Sequence, residues 1–197
     1  ASATDALTLV LNATAVAAAD LNTLDGKTSV AIDATSIATM TGSASAVKTA
    51  LESSGITDDG GVVVTLDAGT ADATDLTDID AVTTATVVAS AITAISGTGA
   101  EVAAVVAGDI TTGNYTAAIS GTSSAANANT VMGDTTGAVT ATVTATGAVA
   151  ALNSALSNAD SAADGDTLTL VLNATSASAA DLNTLNGKTA ANINAAT

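Results

Sequence analysis

The acidic side chains are the residues of this sequence most able to do chemistry, because the chain has nineteen Asp plus Glu and no histidine. Three of them cluster in the segment Asn158–Asp166, which contains Asp160, Asp164 and Asp166. Calcium prefers several oxygen ligands in a flexible loop, and this segment offers three carboxylates with nearby backbone carbonyls. The three aspartates are therefore candidate calcium ligands. Solvated turns are the alternative, since the spacing matches neither the EF-hand loop nor the glycine-rich nonapeptide repeat.

Two further polar patterns admit both a structural and a metal-binding interpretation. Asp58 and Asp59 precede Gly60 in a second acidic turn. A short polar residue also follows each predicted strand core, where it either closes a turn by bonding to backbone or forms a row of cation ligands. This residue is Asn12, Asp67, Ser120 and Asn173 in successive copies.

Composition excludes several classes of function. Without histidine, cysteine or arginine, the usual pairs of nucleophile and base cannot be assembled, so we expect no enzymatic activity. A net charge of −16 with only three lysines excludes a nucleic-acid-binding surface. The uncharged stretch 135–159 is dominated by Ala, Thr, Gly and Asn instead of Leu, Ile and Phe, so we expect no membrane insertion.

Threonines occupy the outward positions of several predicted strands. Thr8, Thr65 and Thr169 form one such rank, and another runs through the alternating positions 140, 142, 144 and 146. A flat rank of threonines could order water and bind ice. Threonine is also β-branched and suits an exposed sheet face, which explains the same pattern without a ligand.

Internal repetition defines the organisation of the chain. The segment Asp166–Thr175 repeats Asp5–Thr14 with one difference. A second alignment places Leu7 over Val62 and matches long segments without gaps. We therefore predict a single repeat array over 1–197. Its sub-repeats cover about 5–60, 61–113 and 114–165, followed by a partial copy at 166–197.

Each sub-repeat alternates between the two hydrophobic periods. Alternating apolar residues at 7, 9 and 11 and at 62, 64 and 66 predict strands. Asp20 and Asp75 are each assigned as the N-cap residue of a short segment with helical spacing. Thr98 and Glu101 have the spacing of a capping box before a longer helix. Parallel strands need crossovers, which the helices would provide. The pattern predicts an α/β solenoid of stacked strand-helix coils with a parallel β-sheet; an all-β parallel solenoid is the alternative.

The stretch Asp20–Gly42 resembles the Ala/Thr/Ser-rich repeats of giant secreted or cell-surface proteins of cyanobacteria and other aquatic bacteria. The resemblance covers most of the first two sub-repeats and the terminal copy, and it is weak over 114–164. It implies an extracellular, non-enzymatic polypeptide associated with the cell envelope, motility or adhesion, and it carries no site residues over.

These patterns lead to one functional expectation. We expect a structural segment of an extracellular fibre, surface-layer or adhesin protein, acting as a rigid spacer that stacks with copies of itself end to end or laterally. The strong acidity would keep such an apolar chain soluble in a saline exterior. A calcium-binding or ice-binding extracellular module is the alternative.

Overall fold

A computed structural model describes residues 5–145, 147–173 and 176–194, and it is an α/β protein with parallel sheets. The described residues form seven helices, so the all-β alternative is wrong. The helices are α1 (Ala18–Asp25), α2 (Ala44–Leu51), α3 (Ala73–Val82), α4 (Gly99–Ala107), α5 (Ala125–Asp134), α6 (Val149–Ala155) and α7 (Ala179–Asn186).

Twelve strands alternate with these helices in the described residues. The first six are β1 (Ala15–Ala17), β2 (Ile32–Asp33), β3 (Thr39–Gly42), β4 (Ile56–Thr57), β5 (Val63–Leu66) and β6 (Gly69–Asp72). The others are β7 (Val87–Ala89), β8 (Ile92–Thr98), β9 (Ile110–Thr112), β10 (Thr116–Ser123), β11 (Val139–Ala145) and β12 (Thr167–Leu172).

Side chains at the helix starts explain where several helices begin. Asp72 caps α3 by accepting from the amide of Thr74, and Ser178 caps α7 by accepting from the amide of Asp181. The sequence-based assignment of Asp20 and Asp75 as capping residues is wrong, because both lie in the first helical turn. A negative charge in the first turn interacts favourably with the helix dipole, which explains the aspartates there equally well.

The capping box is confirmed. The Thr98 amide donates to Glu101 Oε2 at 2.7 Å, and the Glu101 amide faces Thr98 Oγ1 at 3.4 Å.

Strands that run directly into helices were not predicted. β1, β6 and β8 end immediately before α1, α3 and α4, and their sequences give little apolar alternation, since the two isoleucines of β8 are three residues apart.

The chain forms two compact units. Unit 1 contains the described residues up to Ile92 together with Gly108–Gly113, and unit 2 contains Thr93–Ala107 and the described residues from Asn114 on. In unit 1 the parallel sheet has the order β1-β3-β5-β7-β9. Its rungs follow in register at nearly even intervals along the chain, through Val16, Met40, Val64, Val87 and Ile110.

Burial in unit 1 follows from this order. The three central rung residues are buried, whereas those of the two edge strands are only half-buried. A smaller parallel pair joins β2 to β4 through Ile32 and Ile56, both of which are buried. The helices α1, α2 and α3 pack side by side, and their buried residues are mainly Ala, Leu, Val and Ile.

In unit 2, β10 lies between β8 and β11, and β11 lies between β10 and β12, all in parallel. The segment between β11 and β12 is longer than the other connections of this sheet, because it contains the acidic loop after α6. The register of β10 shifts between Ala118 and Thr122, where Gly121 adopts a left-handed φ of 64°.

Candidate functional site

The three predicted calcium ligands lie in one loop, where two of them already accept hydrogen bonds from the backbone. Asp166 is only 1% exposed, and its carboxylate oxygens accept from the amides of Val139 and Asp160 at 3.0 Å each. Burial raises the pKa of Asp166 above its ordinary value, and the two amides oppose that shift. Asp166 therefore joins its own loop to the beginning of β11.

Asp160 closes the same loop from its other end. Its Oδ1 accepts from the amides of Ala162 and Ala163 at 2.9 and 3.0 Å, and these bonds lower the pKa of Asp160. Asp164 donates its amide to the Asp160 carbonyl at 3.1 Å. No group of three acidic side chains in the described ranges is arranged to hold a metal ion. Calcium binding by this loop stays a prediction.

The second acidic turn also uses its carboxylates locally. Asp58 Oδ1 accepts from the amide of Gly60 at 2.7 Å, and Asp59 Oδ1 accepts from the amide of Gly61 at 3.0 Å. These are Asx turns, in which the side chain replaces a backbone acceptor. The four polar residues that follow the predicted strand cores are all exposed; they are Asn12, Asp67, Ser120 and Asn173.

Four buried threonines form the most regular polar feature of the described chain. Each Oγ1 donates to a carbonyl 20 or 21 residues earlier and accepts from the amide two residues ahead. Such a hydroxyl joins its own turn to an earlier segment and simultaneously closes that turn. We call these residues the threonine clamps: Thr28 on Leu7, Thr83 on Val62, Thr135 on Tyr115 and Thr189 on Leu168.

Three of the clamps bind both backbone groups of their target residue. Leu7, Tyr115 and Leu168 also donate their amides to the same threonine oxygens, at 3.2, 3.0 and 2.7 Å. Asp166 takes the comparable place against Val139, where it accepts the amide at 3.0 Å. An unpaired buried amide costs about 1–3 kcal/mol, so the clamps satisfy groups that a short, irregular ladder leaves open.

The sequence carried a signal for the clamps that residue chemistry alone did not reveal. Thr28 falls on Thr83 when Leu7 is aligned with Val62, and the tripeptide Gly26–Thr28 recurs at Gly187–Thr189. The recurrence marks a constrained position, but only the structure shows its hydroxyl buried against an earlier segment.

Charged contacts between neighbouring helices are few and local in the described residues. Lys48 of α2 lies 3.1 Å from Asp75 and 2.6 Å from Asp78, both on α3. The hydrogen bond to Asp78, followed by that to Asp75, holds the pKa of Lys48 above its ordinary range. The Lys188 ammonium donates to the Leu156 carbonyl at 2.6 Å. These lysines serve inter-element contacts.

A small groove lies where α6 approaches the start of α5 in unit 2. Its volume is about 240 Å³, and no titratable side chain lines it. The lining has the hydroxyls of Ser124 and Thr144 but no acidic or basic side chain that could activate them. The lining consists mainly of small residues: Ser124, Ala125, Thr144, Ala145, Gly147, Ala148, Ala151, Leu152 and Ala155.

Comparison of the chain with protein-family models, with curated proteins and with solved structures finds no match. In the described part of the chain, none of the helices has the length and hydropathy needed to cross a membrane. The geometry alone therefore has to carry any functional proposal.

Proposed function

We propose that this chain is a structural repeat segment of an extracellular fibre, surface-layer or adhesin protein, and that it acts as a rigid, self-stacking spacer. Each compact unit would be a short α/β solenoid of strand-helix coils. The observation that carries the proposal is the nearly even spacing of the rungs in the sheet of unit 1, at positions 16, 40, 64, 87 and 110. A solenoid of the leucine-rich class adds one coil per roughly 20–29 residues, and each coil contacts only its neighbours.

The use of polar groups supports a structural role. The threonine clamps, the Asx turns and Asp166 direct hydroxyls and carboxylates at backbone amides and carbonyls of the chain itself. Polar groups committed in this way stabilise a backbone and present little chemistry to a substrate. A net charge of −16 suits a saline exterior, where salt screens the repulsion between copies.

Sedimentation velocity over a wide protein concentration range, combined with negative-stain imaging, tests the self-stacking spacer. We expect assembly to increase with protein and salt concentration. Val10 is exposed in the segment Asp5–Asn12, which within the described residues is bridged on one side only, so Val10→Lys should reduce assembly, because an edge lysine opposes strand addition. Val82→Lys changes an exposed apolar residue on α3 and serves as the matched control. A strictly monomeric chain at every concentration would contradict the proposal.

Ice binding is a second candidate because threonines lie in register on two paired strands. Thr140 is opposite Thr167, and Thr142 is opposite Thr169. Rungs about 4.8 Å apart would give a small regular grid of hydroxyls and methyls. Thr146, the last member of the predicted rank, lies outside the described residues.

Ice-shaping assays test this second candidate. The unsubstituted chain should shape ice crystals, Thr142→Lys should lose the effect because it interrupts the grid, and the control Thr130→Lys, at an exposed position on α5 outside both ranks, should keep it. Unshaped crystals with the unsubstituted chain eliminate ice binding.

Calcium binding, the remaining alternative, is tested by thermal melting with calcium and with chelator. A melting temperature that rises with calcium and loses the rise in Asp164→Asn supports a site in the loop of Asp160, Asp164 and Asp166. An unchanged melting temperature argues against it.

A further inference from the structure

The segment Asp5–Asn12 of unit 1 leaves its leucines partly uncovered in the described structure. Leu7 is 47% exposed, and Leu9 and Leu11, which alternate with it on the same side of the segment, are half-buried. The segment is joined to the following one by two isolated bridges, Asp5 with Thr28 and Val10 with Asp33. No strand in the described residues pairs with its opposite edge.

The internal copy shows what covers such a strand. Leu168 is 0% exposed, and Leu170 and Leu172 are also buried. Beside them lies β11, which pairs with β12 in parallel from Thr140 with Thr167 to Ala145 with Leu172. A sequence with the same leucines is thus fully buried once a strand of the β11 kind lies beside it.

The acidic residue at the start of the segment Asp5–Asn12 fits the same kind of neighbouring segment. Asp166 accepts the amides of Val139 and Asp160, both of which belong to the segment that precedes β12. Asp5 is the counterpart of Asp166 in the earlier copy, and it is exposed. A covering segment of the same sequence would present the same two amides to the Asp5 carboxylate.

From this correspondence we propose that Asp5–Asn12 is a docking site for a second copy of the segment Thr135–Gly165. This copy would directly precede Asp5 in the chain, as Thr135–Gly165 directly precedes Asp166. This inference rests on the proposed repeat function, because it names the partner that the open sheet edge takes. The docked strand would run parallel and place Val and Ala side chains over the three leucines. Its Thr side chains would face outward, as they alternate along β11.

An extended chain tests the docking site directly. The sequence of residues 135–165 is joined to Asp5 in place of the first four residues, and amide hydrogen exchange is followed at a dilution where the parent chain is monomeric. We expect the amides of residues 8 and 10, which face the docked strand, to exchange at least about tenfold more slowly than in the parent. The amides of β12 should keep their parental protection, which shows that the rest of the molecule is folded.

A matched control carries aspartates in the appended copy at the positions equivalent to Val139, Ala141 and Val143, which would face the leucines. This control should leave residues 8 and 10 unprotected, because buried carboxylates oppose docking. Unchanged exchange in the extended chain overturns the docking site. Protection that arises only from association of parent chains at high concentration also overturns it, because the occupant is then a separate molecule. Protection in the extended chain combined with a strictly monomeric parent supports docking and contradicts self-stacking.

Discussion

The first and last copies of one sequence fold with the same contacts on one side and different contacts on the other. Towards the following segment the bonds are equivalent: Asp33 bridges Leu9 and Leu11 as Asn194 bridges Leu170 and Leu172. The threonine clamps of the two copies are equivalent as well. Towards the preceding segment, the last copy has β11 and the described part of the first copy has no strand.

The helices of the two copies show the complementary pattern. Leu21 is buried in α1, which packs against α2, whereas the equivalent Leu182 of α7 is only half-buried. Conversely, Leu185 is buried beside α6, whereas the equivalent Leu24 is half-buried. The same residue therefore contributes to stability only where a neighbouring segment is present, which is the behaviour expected of a nearest-neighbour array.

The largest expected effect comes from truncating one leucine in each copy. Leu168→Ala should destabilise the protein by about 2–5 kcal/mol, because it removes a buried side chain and leaves a cavity. Leu7→Ala should cost about 1 kcal/mol or less, because that side chain is already half in water. Denaturant unfolding of both variants measures the difference. Equal losses of stability would contradict the difference in burial between the two leucines.

A second expected effect concerns the clamps, which should be equivalent in both copies. Thr28→Val and Thr189→Val each keep the shape of the side chain but leave two amides and a carbonyl without their hydroxyl partner. These groups are partly buried around Thr28 and mostly buried around Thr189, so each change should cost about 1–3 kcal/mol, with Thr28→Val at the lower end. The control Thr169→Val removes an exposed hydroxyl and should change stability by less than about 0.5 kcal/mol. Denaturant unfolding compares the three. A clamp variant as stable as this control would remove the structural role assigned to the hydroxyl.

Substitution of the aspartate that begins each copy should destabilise the last copy more than the first, as for the leucines. Asp166→Asn replaces one of two carboxylate acceptors by an amide donor that faces a backbone amide, and should cost about 1–3 kcal/mol. Asp5→Asn changes an exposed residue and should be nearly neutral. Thermal melting of the two variants measures the difference. A larger loss of stability for Asp5→Asn would contradict the conclusion that Asp166 is the buried aspartate and Asp5 the exposed one.

The smallest expected effect is a difference in sign between two pH dependences. Because burial raises the pKa of Asp166, the stability contributed by its titration is present below the unfolded value and is lost as pH rises through the folded value. The pKa of Asp160 is lowered by backbone hydrogen bonds, so its contribution is present above the unfolded value and lost as pH falls through the folded value.

Unfolding free energies of the parent, Asp166→Asn and Asp160→Asn between about pH 3 and pH 6 bracket the ordinary aspartate pKa. The parent's advantage over Asp166→Asn should shrink as pH rises, whereas its advantage over Asp160→Asn should grow. Slopes of the same sign would contradict the environments assigned to the two side chains.

Part of the fold was readable from particular residues. Alternation at Val62, Val64 and Leu66 located β5, and the Thr98 and Glu101 pair located the start of α4. The same alternation at residues 7–11 predicted a strand, but the structure has only isolated bridges there. A strand forms only where regular hydrogen bonds join it to a partner on at least one side. β1, β6 and β8 were missed, since their sequences lack regular apolar alternation and they form strands through pairing with their neighbours.

The candidate site was only partly readable for a related reason. The acidic loop drew attention to Asp160, Asp164 and Asp166 through charge density, and nothing local revealed that Asp166 is buried against the distant Val139. The sequence shows that the clamp threonines recur, but it does not show what their hydroxyls bind. The binding partners are backbone groups of another segment, which only the folded chain brings close.

The sequence by itself determined the internal copies, the acidity and the alternation of strand and helix periods, since these are local properties of the chain. The tertiary structure decided which copy of each leucine is buried and which carboxylates accept backbone amides. It also decided where β1, β6 and β8 form. The physical reason is that burial and ladder pairing belong to two neighbouring segments together, so the same leucines can be buried in one copy and partly exposed in the other.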